Sequence, residues 1–217
     1  MTGVERVKLY SLYERVWHWV QAGSVMLLLS SGLEVRGVVS VLGFRNAVAL
    51  HEVMGFFLLG NAVLGLFYFL TSGAIRQYVA PPRDFATLAV RQALYYVRGI
   101  FRGEPHPVER TPRARLNPLQ KVVYVGILNV LLPWQILSGL AVWGLERWPG
   151  LEGAVGGLDV LVPLHALGSW LFATFLVAHV YLTTTAGRRP LSGIKAMVTG
   201  YEELEAHAEH ATKEVTP

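Results

Sequence analysis

Four of the seven histidines in this 217-residue chain, His18, His51, His165 and His179, fall inside long apolar blocks, where an imidazole has few reasons to be. A single histidine of this kind reads as a hydrogen bond to a neighbouring helix. Four of them are another matter, because polar groups in hydrocarbon are costly and mark functional paths. His165 and His179 are fourteen residues apart. On a helix that is roughly 21 Å of rise, with the two rings facing within about 40° of each other. One helical stripe then presents an imidazole near each end of a membrane span. His18 lies near the end of its block that matches His179 in depth, and His51 opens its block at the depth of His165. The four sort into two pairs, one per leaflet. A zinc site needs three or four ligands converging at one depth, whereas two and two suits a pair of b-type haems stacked along the membrane normal. Both axial positions of each iron are then filled, which directs the chemistry to electron transfer and away from oxygen activation. The natural lipid-soluble partner for such a chain is a quinone.

The chain has no cysteine. That excludes disulfide scaffolds, thiolate zinc sites, iron–sulfur clusters and covalent c-type haem attachment, so the haems are non-covalent and rest on histidine. His106, in Glu-Pro-His-Pro, reads as an exposed loop residue, and His207 and His210 belong to a charged tail.

The elements that position the histidines are equally legible. Hydrophobic residues make up 53% of the chain and charged ones only 16%, with mean hydropathy +0.40. About 25% charge is usual for a soluble domain, so neither a soluble enzyme nor a disordered chain fits. The apolar residues collect in four blocks, about 16–33, 47–70, 122–142 and 161–182, free of Lys, Arg and Asp and holding one Glu, Glu52. Each is close to the roughly 20 residues that span a bilayer. The first is too long, and too rich in Trp and polar residues, for a cleaved signal segment. The expected fold is an all-α integral membrane protein, a four-helix transmembrane bundle over residues 1–200, followed by a charged tail, 201–217.

Orientation comes from the basic residues. Sixteen of the nineteen Lys and Arg lie in the N-terminal tail, the loop between spans two and three, and the C-terminal tail; only Arg36, Arg45 and Arg147 lie opposite. The positive-inside rule places both termini and the long loop in the cytoplasm, and in a bacterium the other face is periplasmic. The net charge of +4 is therefore topology and not a nucleic-acid surface. Within the long loop, Asp84–Phe101 brings Phe85, Leu88, Ala89, Tyr96 and Ile100 near helical spacing, which predicts an amphipathic helix on the cytoplasmic interface. The tail from Tyr201 reads as a frayed or solvated helix. An internal echo links Ser31-Gly32-Leu33-Glu34-Val35-Arg36-Gly37 with Ser138-Gly139-Leu140-Ala141-Val142-Trp143-Gly144, and Leu50-His51 with Leu164-His165. It suggests two related two-helix units. Small residues such as Gly23, Gly55, Gly60, Gly65, Ala166, Gly168 and Ala178 flank the histidines, giving clearance for a porphyrin or ordinary tight helix packing. Arg15, one turn from His18, is placed to meet a haem propionate or to snorkel to the interface.

These residues resemble the di-haem cytochrome b subunits of the formate dehydrogenase gamma, thiosulfate reductase and nickel–iron hydrogenase group, related to bacterial cytochrome b561. The resemblance spans about residues 8–195 and rests on Arg15-Val16-Trp17-His18-Trp19, Leu50-His51-Glu52, the His165/His179 pair, and Asn117-Pro118-Leu119-Gln120-Lys121 entering span three. Pro118 departs from the smaller residues usual there. The resemblance implies pairing of His18 with His179 and of His51 with His165 as haem ligands. It also implies a menaquinone or ubiquinone site near the cytoplasmic haem, with Asn117 as a carbonyl partner and Gln120 nearby. The residues themselves equally allow Asn117 and Gln120 to cap and solvate the start of span three. The implied role is a membrane-anchor subunit of the bacterial inner membrane. It passes electrons between a periplasmic iron–sulfur subunit, with a molybdenum- or tungsten-containing catalytic subunit beyond it, and the quinone pool. The competing reading is a stand-alone cytochrome b561 acting as a superoxide:quinone oxidoreductase, which the long basic loop disfavours. Periplasmic loops this short suit docking of a subunit better than turnover of a polar substrate.

Overall fold

A computed structural model describes residues 4–78, 85–104, 118–185 and 190–205. The chain opens with β1 (Val4–Lys8), followed by α1 (Leu12–Val35), α2 (Phe44–Thr71) and a short 3-10 turn at Ala74–Tyr78. Then come α3 (Phe85–Leu94), α4 (Pro118–Gly126), α5 (Leu132–Arg147), the short α6 (Glu152–Val155), α7 (Leu158–Thr185), α8 (Ser192–Thr199) and β2 (Tyr201–Glu205). A single widened π turn, Ile127–Leu131, joins α4 to α5, so that Leu119–Arg147 runs as one rod.

Among the described residues, three helices are long and apolar enough to cross a membrane: Phe44–Thr71, Leu119–Arg147 and Leu158–Thr184. Only 17, 11 and 22% of their most apolar windows is buried within the chain. Their Val, Leu and Phe side chains therefore face outward, as a hydrocarbon solvent requires and water does not. α1 has the length, 24 residues, but its apolar run is diluted by His18, Gln21, Ser24, Ser30 and Ser31. The serines and Gln21 are satisfied locally. The serine hydroxyls donate to carbonyls one turn back, as Ser24 does to Val20 O at 2.8 Å. The Asn61 amide of α2 donates to Gln21 Oε1 at 2.6 Å, tying α2 to α1.

α1 packs along α2, α5 along α7, and α2 against α5. The centre of the bundle is Leu58, Leu132 and Phe172, one from each of α2, α5 and α7, with Val25 and Leu28 of α1 against them. α1 begins with a capping box: Ser11 Oγ accepts from Glu14 N–H while Glu14 Oε2 accepts from Ser11 N–H. The signal, S-x-x-E, stands in the sequence.

Two elements differ from the sequence expectation. Tyr201–Glu205 is a strand, not a frayed helix, paired antiparallel with Val4–Lys8 so that Arg6 faces Glu203 and Lys8 faces Tyr201. Opposite charges across the ladder and the Arg6 guanidinium 4.5 Å over the Tyr201 ring favour the pairing; the remainder of the tail lies outside the described residues. In the long loop, the helix stops at Leu94, followed by a π turn at Tyr95–Gly99 and a 3-10 turn at Ile100–Arg102. Consecutive aromatic and β-branched residues and then Gly99 are poor helix formers, which accounts for the break. Leu88 and Ala89 are half-buried and Gln92 fully buried on an element that packs on α4, whereas Val90, Leu94, Val97 and Phe101 face outward. The segment has apolar residues on two faces, one spent on α4 and one facing outward among the described residues.

Glu34 closes the α1–α2 turn. Its carboxylate accepts the backbone N–H groups of Val41, Leu42 and Gly43 at 2.9, 2.6 and 2.7 Å. Gly43 leads into α2 with φ +83 and offers no side chain, so the carboxylate gathers the N–H groups of the turn just ahead of the helix, near the positive end of its dipole. Burial opposes ionisation of Glu34, but the three donors outweigh it and hold the carboxyl below its ordinary range. The stabilisation is thus complete above the unfolded pKa, about 4.3, and is lost as pH falls through the lower folded value. Glu34→Gln is expected to lower the thermal midpoint at pH 7 and to flatten its fall in acid; a melting series from pH 7 to 3 on both proteins checks this.

Candidate haem-binding sites

Two histidine pairs form at opposite ends of the bundle. His18 of α1 and His179 of α7 have ring centroids 6.1 Å apart, at the end that carries both strands. His51 of α2 and His165 of α7 have centroids 6.1 Å apart at the other end. Two imidazoles sharing one iron, each nitrogen about 2.0 Å from the metal and each ring centre about 1 Å beyond it, need centroids roughly 6 Å apart. Both pairs meet that requirement. Among the described residues, no cluster of three His, Cys, Asp or Glu forms a larger metal-binding group.

The surroundings of the pairs differ. His18 Nδ1 is buried with no hydrogen-bond partner among the described residues. Its ring lies edge-on to Trp19 at 5.2 Å, and the His179 ring stacks on Phe175 at 5.4 Å. At the other end, Ser31 Oγ lies 2.9 Å from His51 Nδ1, and Ser138 Oγ 2.9 Å from His165 Nδ1. The Gln135 amide nitrogen is 3.2 Å from His165 Nε2, and Gly168 leaves room for that amide. Ser31, Ser138 and Gln135 escaped the sequence reading as site residues, although the first two lie in the repeated segment.

Glu52, the only acidic residue in the apolar blocks, pairs with Arg147 of α5 at 3.2 Å. With side chains 40 and 30% exposed the pair is worth little energy, about 0–1 kcal/mol, but it ties α2 to α5 beside His51. The Arg147 guanidinium also lies 4.2 Å over the Trp143 ring.

Arg15 Nη1 donates to Val198 O at 2.6 Å and Nε to Ser11 O at 3.4 Å, while Trp19 Nε1 donates to Met197 O at 3.3 Å. Arg15 and Trp19 thus satisfy carbonyls at the C-terminus of α8. Gln120 is half-buried in the first turn of α4. Asn117, His106, His207 and His210 lie outside the described residues.

Among curated proteins, the chain is 37% identical over 204 residues to the cytochrome YdhU of Escherichia coli (strain K12), covering 91% of this chain and 75% of that one. It is 22% identical over 194 residues to a protein-methionine-sulfoxide reductase subunit, YedZ1, of Azospira oryzae, covering 83% and 92%. It is 23% identical over 232 residues to a Ni/Fe-hydrogenase B-type cytochrome subunit of Cupriavidus necator, covering 93% and 89%. No solved structure matches. The family model for prokaryotic cytochrome b561 matches residues 9–200, almost the whole helical bundle. Apolar helices with unspent outer faces, histidines paired at haem spacing and this match converge: the chain belongs to the prokaryotic cytochrome b561 family of haem b membrane cytochromes.

Proposed function

We propose that the chain is the membrane-anchor electron-transfer subunit of an oxidoreductase complex. It holds two haems b, one between His18 and His179 and one between His51 and His165. The observation that carries this is the recurrence of a 6.1 Å imidazole pair at each end of one bundle. Haem iron held there supplies reversible one-electron transfer at each end, and the roughly 21 Å rise between His165 and His179 carries charge most of the way across a bilayer. The chain's own part is to fix four rings and exclude water around them. In this reading α1 is the fourth span, with His18, Gln21, Ser24 and Ser31 turned to the other helices and Ser30 bonded back to its own helix. Both termini and the long loop lie on the cytoplasmic side of a bacterial inner membrane. The outward apolar side chains of the loop helix, Val90, Leu94, Val97 and Phe101, rest on that interface.

Electrons pass between a periplasmic iron–sulfur subunit, backed by a molybdenum or tungsten catalytic subunit, and menaquinone or ubiquinone. Two relatives bear the word subunit in their names, of a sulfoxide reductase and of a hydrogenase, which favours a partnered cytochrome over a free-standing superoxide:quinone oxidoreductase. Quinone reduction also consumes protons, so the quinone belongs at the cytoplasmic end, beside the His18/His179 haem, with Asn117 and Gln120 at the mouth of span three. Of the five N–H donors of Arg15, the bonds to α8 and Ser11 use two; the proposal gives the guanidinium a haem propionate as well.

The test is electron delivery from the reduced cytochrome in vesicles to a quinone analogue. Asn117→Ala is expected to keep both haems and lose about two- to tenfold in quinone affinity, the worth of one hydrogen bond. Unchanged kinetics and unchanged sensitivity to a quinone-site inhibitor would move the site away from Asn117.

A further inference from the structure

The repeated segment has a structural counterpart at one end of the bundle only. Ser31 and Gly32 of α1 face His51 of the next helix; Ser138 and Gly139 of α5 face His165 of α7. In both copies the serine oxygen is 2.9 Å from Nδ1. In both, the glycine leaves space for the ring edge: an added Cβ would stand 3.3 Å from Cε1 of His51 at Gly32 and 3.1 Å from Cε1 of His165 at Gly139. Two separately encoded copies of one contact, meeting at a single histidine pair, are more than chance helix packing.

Proton accounting fixes the direction of the bonds. The Ser31 hydroxyl donates its one proton to Leu27 O at 2.7 Å, so its oxygen meets His51 with a lone pair. Nδ1 of His51 must then carry the ring proton, which leaves Nε2 bare. His165 reaches the same state by an independent contact. The Gln135 amide, which would have to swing off this nitrogen for a haem iron to take its lone pair, donates to Nε2 at 3.2 Å, so Nε2 is the acceptor and Nδ1–H donates to Ser138, whose own proton goes to Gln135 O at 3.3 Å. His18 Nδ1, at the other end, is buried with no such acceptor among the described residues.

We infer that the two Ser–Gly pairs are a duplicated positioning device that holds His51 and His165 as Nδ1–H tautomers, presents Nε2 of each to the metal, and lowers the potential of the haem between them. The inference rests on the two-haem reading proposed above. A ligand imidazole that donates its other N–H is oriented and made more basic. A more basic ligand favours oxidised iron. The asymmetry places the lower potential at the end away from the termini, which biases electrons toward the His18/His179 end. Ser31 and Ser138 touch the ligands and not the haem, so they act through His51 and His165.

The test is a redox titration of the full-length holoprotein in vesicles, with both haems followed by their absorption bands. In Ser31→Ala or Ser138→Ala, the reduced-to-oxidised ratio of one haem at a fixed potential is expected to rise about two- to tenfold, the worth of one hydrogen bond. At 59 mV per tenfold for a one-electron couple, that is an upward shift of about 20–60 mV, with the other haem unmoved. Ser→Thr at the same positions restores the wild-type value. If an Ala variant loses its haem outright, Thr must restore both haem and potential. Loss that Thr does not repair would make the serine a space-filler and overturn the inference, as would two retained haems with unmoved potentials in both Ala variants. Wild-type protein holding fewer than two haems would instead overturn the two-haem reading, and this inference with it.

Discussion

His165→Ala protein is expected to purify with one haem b in place of two, and His51→Ala to give the same spectrum, because each removes half of one axial pair. His18→Ala and His179→Ala are expected to retain the opposite haem. The separation is physical: the pairs sit fourteen residues apart along α7, and each ring meets its partner at 6.1 Å. A haem held at such a pair would lose one of its two histidines, and no other ligand cluster stands among the described residues to replace it. Without a cysteine to tether it covalently, the cofactor dissociates. The apolar core of Leu58, Leu132 and Phe172 lies apart from either pair, so the bundle itself is expected to persist. Absorption spectra and haem-to-protein ratios of the four variants check this. Any one of them retaining both haems with an unchanged spectrum would remove that histidine from the ligand set.

The second large effect is expected at Gly65. Fourteen residues after His51, it occupies in α2 the place that His179 occupies in α7. Instead of a second ligand stripe, the position makes room for Trp17: an added Cβ would lie 2.5 Å from the indole nitrogen and 2.7 and 2.9 Å from adjacent ring carbons. Trp17 donates to Asn61 O at 3.0 Å and packs edge-on against Phe69 at 5.5 Å. It cannot retreat without giving up both contacts, and it neighbours His18 in sequence. Gly65→Ala gains up to about 1 kcal/mol of helix propensity but costs about 1–3 kcal/mol of overpacking, so it is expected to be neutral to modestly destabilising. Gly65→Leu adds three more carbons to the same collision. It is expected to lower the thermal midpoint and to lose the His18/His179 haem while keeping the other. Haem content and melting of the two variants decide it; a Gly65→Leu protein with both haems and wild-type stability would show that Trp17 is not held by this contact.

The helices and the histidine stripe were legible because both follow from periodicity. Apolar blocks of bilayer length mark rods, and a fourteen-residue interval returns a helix to nearly the same face. The structure brings His165 and His179 each opposite a second histidine for that reason. The Ser31/Ser138 contacts were visible only as an echo, since a sequence records that two segments match but not which neighbour their side chains meet. Glu34 was hidden similarly: its three partners are backbone N–H groups, which every residue but proline has. The strand at Tyr201–Glu205 escaped because its charged alternation is as compatible with a solvated helix until Val4–Lys8 is known to lie beside it. In the long loop, the apolar periodicity revealed a helix but not that one apolar face is spent on α4.

Two haems, one at each end of the bundle, are tested most directly by the haem-to-chain ratio of the purified full-length protein combined with its redox titration. Two non-covalent haems b per chain are expected, titrating as two one-electron steps, with His165→Ala and His179→Ala each deleting a different step. One haem per chain, or two variants that delete the same step, would contradict the two-haem reading.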